Sequence, residues 1–128
     1  MVAASLTLAA CGSSVTARSP SAANARETAT EYLSAISAGR STVVCSYLSS
    51  QAQRQLLDIA RQQDEPHPSC ETAAGRLLLP MLGEHARVRT VHVSGRRATV
   101  TIVDPHSDSG ADNLTMVWQN NRWTILDL

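Results

Sequence analysis

The sequence predicts an α+β domain, with helices first and an antiparallel sheet last. Three observations carry this expectation. From Asn24 to Leu82 apolar residues recur every three to four positions, the helical period. After Gly83 the period falls to two, the strand period. The alternating runs are divided by short turn signals, Ser94-Gly95-Arg96-Arg97 and Asn120-Asn121. A length of 128 residues suits one such domain.

Asn24 is expected to cap the first helix, with Glu27 as its capping-box partner three residues on. Ala25, Ala29, Tyr32, Leu33 and Ile36 fall on one face, and Gly39 ends the helix. A short second element begins near Ser41, made apolar by Val44, Cys45, Tyr47 and Leu48. Ser50 and Gln53 form another capping box. The helix that follows places Ala52, Leu56, Ile59 and Ala60 on one side, with its polar residues largely elsewhere. Two prolines make Asp64 to Pro68 a loop. Ser69 then caps a helix through Cys70, Ala73, Ala74, Leu77 and Leu78, which Pro80 stops or kinks. The helical part thus amounts to about three helices.

Val91 and Val93 alternate with His92, and Ala98, Val100 and Ile102 with Thr99, Thr101 and Val103. Around the turn at Gly95 these runs read as a hairpin. Asp104 to Asp112 is expected to be a polar loop. Leu114, Met116 and Trp118 alternate again, then Trp123, Ile125 and Asp127. Asn120-Asn121 between them suits a type I′ turn, because Asn tolerates positive φ. Four antiparallel strands result.

The N-terminal segment carries a different message. Residues 1–10 are uncharged and mostly small or apolar, too short to span a bilayer but long enough for a signal-peptide core. They end in Leu8-Ala9-Ala10-Cys11, which resembles a bacterial lipobox, with Cys11 as the thiol that takes the diacylglyceryl chain. No basic residue precedes Cys11, a departure from the positive start of a signal peptide; basic residues upstream of Met1 would supply it. From Gly12 to Ala23 small polar residues predict a flexible tether with a reach of about 19 Å. The expected layout is a signal peptide over 1–10, a lipidated Cys11 and tether over 11–23, and one domain over 24–128.

Three cysteines are an odd number. With Cys11 acylated, Cys45 and Cys70 remain, and an exported pair tends to be bridged. The competing readings are two buried thiols, or a metal site built on His67 and Cys70 without a second pair at zinc spacing.

The hairpin V-x-V-S-G-R-R-A-T-V-T-I (Val91 to Ile102) and the ending M-V-W-Q-N-N-R-W-T-I (Met116 to Ile125) resemble the nuclear transport factor two-like, or cystatin-like, fold. Within it, the chain resembles small exported lipoproteins of high-GC Gram-positive bacteria. Its 18 Ala and 11 Arg, with no Lys, fit high-GC coding. The resemblance implies a cone in which a curved sheet wraps a long helix and leaves a pocket at one end. Proteins of this fold serve as enzymes, small-molecule binders or protein-binding modules, so the fold alone does not choose.

Eleven basic residues balance eleven acidic ones, which argues against a nucleic-acid partner. Enzymes resembling ketosteroid isomerase or SnoaL-like cyclases use a pocket Asp or His with a Tyr or protonated acid. Tyr32, Tyr47, His92, Asp104, His106 and Asp112 are the residues of those types here, and none falls in a catalytic motif. Tyr32, Tyr47, Trp118 and Trp123 are the candidate pocket residues; the two tryptophans also suit cross-strand packing. Arg87, Arg89, Arg96 and Arg97 form the one local basic group, suited to edge protection or to anionic lipid. The expected function is a non-enzymatic lipoprotein, anchored on the extracytoplasmic face of the cell membrane, that binds an envelope protein or component. It needs no cofactor and no metal. The alternatives are a carrier of a small apolar ligand and, behind it, an enzyme.

Overall fold

The computed structural model describes residues 19–82, 85–106 and 110–128. Cys11 and the segment 1–18 lie outside the described residues. The element order is α1 (Ala22–Ser37), α2 (Ser41–Tyr47), α3 (Ser50–Gln62), α4 (Cys70–Leu82), β1 (Arg87–Ser94), β2 (Arg97–Val103), β3 (Ala111–Gln119) and β4 (Arg122–Asp127). Four helices therefore precede the sheet, because the short apolar segment at Ser41 is itself helical.

Helix α1 starts earlier than Asn24. Ser21 is its N-cap, and its hydroxyl accepts from the Asn24 N–H at 3.1 Å. Ala22 and Ala23, good helix formers, extend the first turn into the stretch expected to be tether. At the other end Gly39 has φ +69°. Its N–H donates to the Ile36 carbonyl, and the Arg40 N–H to that of Ala35, the paired bonds of a Schellman cap.

A similar one-residue correction applies to α3. Ser49, not Ser50, is the cap, with Oγ accepting from the Ala52 N–H. Gln53 is then free to donate to the carbonyls of Cys45 and Leu48, tying α3 to the end of α2. Helix α4 is capped by Ser69, whose Oγ accepts from the Thr72 N–H. Pro80 does not stop it; the helix runs on to Leu82. The helix forgoes the bond that an N–H at position 80 would make to the Arg76 carbonyl, while Leu78 beside it is buried in the core.

The sheet is antiparallel in the order β1-β2-β3-β4. Gly95 alone has positive φ in the first hairpin turn, while Asn120 and Asn121 both do in the last, as a type I′ turn requires. Strand β3 begins at Ala111, so Ala111 and Asp112 pair with Val103 and Ile102 and are not loop. Ladder bonds satisfy their backbone groups, which outweighs the low strand propensity of both residues.

Helix α1 lies across the inner face of the sheet and touches β1, β2 and β4. Between them sit Tyr32, Val100, Met116, Trp123 and Ile125, each fully or almost fully buried. Val100, Met116 and Ile125 each contribute about 1.5–3 kcal/mol by leaving water. The remaining helices close one end. Leu48 bridges to Ile125, and the Ser49 N–H donates to the Ile125 carbonyl at 2.8 Å. Gln55 holds the C-terminus from α3, donating to Asp127 and accepting from the Leu128 N–H.

Candidate functional site

Alternation along β2 and β3 turns Ile102 and Leu114 inward, where the sheet meets α1 and α4. There they line a cavity of about 290 Å³ with Tyr32, Leu78, Leu82, Asp112, Asn113 and Leu128. Its walls are mainly aliphatic, with one tyrosine inside and an exposed Asp112 and Asn113 at the rim. The volume lies at the lower end of small-molecule sites.

Tyr32 is the distinctive member. It is 0% exposed, and its hydroxyl is buried without a hydrogen-bond partner. Burial pushes its pKa well above the usual tyrosine value, so the group is a neutral phenol. A neutral phenol in apolar surroundings can donate one hydrogen bond. A proton-transfer step needs more, a carboxyl or imidazole within reach. Among the described residues no Asp, Glu or His is buried, and the carboxyl that lines the cavity is that of the exposed Asp112.

The four candidate pocket residues do not share this cavity. Tyr47 is half-buried at the end of α2, its hydroxyl donating to Glu31 Oε2 at 2.5 Å. That bond raises the Tyr47 pKa, with burial and the Glu31 charge adding to it. Trp118 and Trp123 are directly paired across β3 and β4, rings edge to face with centroids 5.4 Å apart. They border a separate polar cleft of about 100 Å³ with Glu27, Glu31 and Arg122. Trp123 is almost fully buried in the core, and its Nε1 is unpartnered.

The other candidates fall outside the cavity, apart from Asp112 at its rim. His92 is exposed on β1, opposite Thr99. Asp104 accepts from the His106 N–H at 2.8 Å, a turn-closing bond. His106 is exposed and lies against His85, ring centroids 4.3 Å apart. Cys45 and Cys70 form a disulfide, Cα atoms 6.1 Å apart, which joins α2 to the first residue of α4. Cys70 is therefore not available as a metal ligand beside His67. No group of three or more His, Cys, Asp or Glu among the described residues could hold a metal ion.

Sequence reasoning missed Leu78, Leu82, Ile102, Asn113, Leu114 and Leu128 as lining residues. The helical face through Leu78 and the strand alternation through Leu114 mark core positions, and nothing local distinguishes a core residue that borders a void.

No protein-family model and no curated protein matches the chain. Among solved structures it is similar to a Campylobacter jejuni protein described as NTF2-like, with transpeptidase given as its proposed activity. The TM-score is 0.51 at 10% identity, covering 80% of this chain and 97% of that one. The likeness establishes the fold: the chain is an α+β cone of the NTF2-like kind.

Proposed function

We propose that this chain is an exported lipoprotein, tethered through Cys11, whose NTF2-like domain is a non-enzymatic binding module at the outer face of the cell membrane. The Cys45–Cys70 disulfide is the observation that carries the reading. Such bonds persist in oxidising compartments and are rare where thiols are kept reduced. The Leu8-Ala9-Ala10-Cys11 motif supplies the anchor for the third cysteine. The acid bordering the cavity, Asp112, is exposed to solvent, and no buried acid or base among the described residues accompanies Tyr32, which favours binding over proton-transfer chemistry. The transpeptidase description of the Campylobacter protein is not carried over, since likeness at this identity reaches the fold alone.

Intact mass of the protein from membrane and soluble fractions, with and without reductant, tests the reading. The expected membrane form begins at Cys11, carries added diacylglyceryl and gains two hydrogens on reduction. A soluble, unprocessed form with three free thiols overturns it.

One observation favours a second reading, a carrier of a small apolar ligand. The cavity under Tyr32 offers aliphatic walls and one unpartnered hydroxyl, the usual make-up of a small-molecule pocket. Binding of a neutral apolar dye that Leu114→Trp abolishes would support it.

A further inference from the structure

The structure divides the basic group of β1 and its hairpin in two. Arg96 and Arg97 stand at the hairpin turn, about 23 Å along the strand from Arg87. Arg87 instead shares a cleft with an arginine from another element. Positions 26, 30 and 34 are spaced by four and form one stripe down α1, continued by the C-cap Ala38. That stripe faces the start of β1 across an open cleft of about 480 Å³. Arg26, Thr30 and Ser34 line one wall, Arg87 and Val88 the other, and Leu33 contributes apolar surface. Arg87 and Val88 also border a second shallow cleft, shared with Arg89.

Among the described residues no carboxylate lines either cleft. Among the described residues the ion pairs are Asp58–Arg61 and Glu65–Arg76, so Arg26, Arg87 and Arg89 have no acidic partner there. On α1 itself the acids Glu27 and Glu31 border the cleft of Trp118 and Trp123 instead. A chain of zero net charge thus collects three exposed cations around apolar surface. Cation and apolar surface together match an anionic amphiphile, and the shallow, open shape matches a surface better than an enclosed ligand.

We propose that this face of α1 and β1 docks on anionic phospholipid headgroups. For its orientation the proposal rests on the anchored reading: Arg26 follows Cys11 by only 15 residues, so an acylated chain would hold this face close to the bilayer. Each arginine near an anionic surface contributes about a five-fold gain in partitioning, screened by salt.

The test uses the full chain carrying Cys11→Ser, so that no acyl chain contributes. It is sedimented with vesicles of phosphatidylcholine, with or without phosphatidylglycerol, in about 0.1 M and about 1 M salt. Binding is expected only to the anionic vesicles at low salt. Arg26→Gln with Arg87→Gln should lower it about 25-fold, while Arg96→Gln with Arg97→Gln, the same charge change, leaves most of it. Equal losses in both pairs, no binding to anionic vesicles, or displacement by inorganic phosphate or by an acidic peptide would each overturn the proposal. The native protein's mass, taken alongside, reports on the anchor separately. An acylated native form with no vesicle binding by the variant sinks the docking face alone. An unmodified native form with intact vesicle binding sinks the anchor alone.

Discussion

Tyr32 and Tyr47 meet edge to face, ring centroids 6.5 Å apart at 80°, yet only Tyr47 has a partner for its hydroxyl. The two groups are chemically identical and energetically opposite. A buried hydroxyl without a hydrogen bond costs free energy, while one bonded to a carboxylate at the surface does not.

Tyr32→Phe should therefore raise stability, by about 1 kcal/mol, because it removes a buried donor and leaves the ring in place. The urea midpoint would move up with an unchanged slope. A fall would mean that the hydroxyl is satisfied in solution.

Both tyrosines predict alkaline sensitivity. Their folded pKa values are raised above the unfolded value, by burial for Tyr32 and first by the Glu31 bond for Tyr47. The folded state then holds its protons where the unfolded state releases them. This contribution is whole below about pH 10, the unfolded value, and is lost as pH rises toward the folded values. Denaturant midpoints should fall from about pH 10 upward, and the Tyr32 phenolate should appear in the ultraviolet only as the chain unfolds.

Removing the Cys45–Cys70 bond by paired Ser substitution should cost about 3 kcal/mol for a loop with a sequence separation of 25. Thermal unfolding with and without reductant checks this, and the paired variant should not respond to reductant at all.

Gly39→Ala should cost about 1–2 kcal/mol. Nothing lies within 4 Å of the added Cβ, so the loss is wholly conformational, arising from φ +69° at the Schellman position. Gly39→Asn should recover part of it, since Asn tolerates that region. Chemical denaturation of the two variants side by side separates strain from crowding.

Much of the fold is legible in the residues. The alternation of Ala98, Val100 and Ile102, the Asn120-Asn121 turn and the stop at Gly39 each follow from one local rule. Misreadings fall where two local rules compete. Ser21 and Asn24 can both cap a helix, as can Ser49 and Ser50, and backbone geometry chooses the first of each pair. Pro80 breaks a local rule that the apolar packing of α4 overrides. The cavity was least legible. Tyr32 reads as a helical core residue, and its unpartnered hydroxyl depends on elements up to 96 residues away, such as Leu128. The grouping of Arg26 with Arg87 was equally hidden, since it joins the first helix to the first strand.

The disulfide also governs what a cut would do. The loop from Asp64 to Pro68, exposed at Asp64, Pro66 and His67, lies between Cys45 and Cys70, inside the covalent ring. A protease that severs it separates neither piece from the other. The N-terminal fragment keeps α1, the C-terminal fragment keeps the whole sheet, and one sulfur–sulfur bond holds them together. A nicked molecule would run as a single species in ordinary buffer and fall into two only in reductant, so damage at this loop need not release the domain from whatever holds its N-terminus.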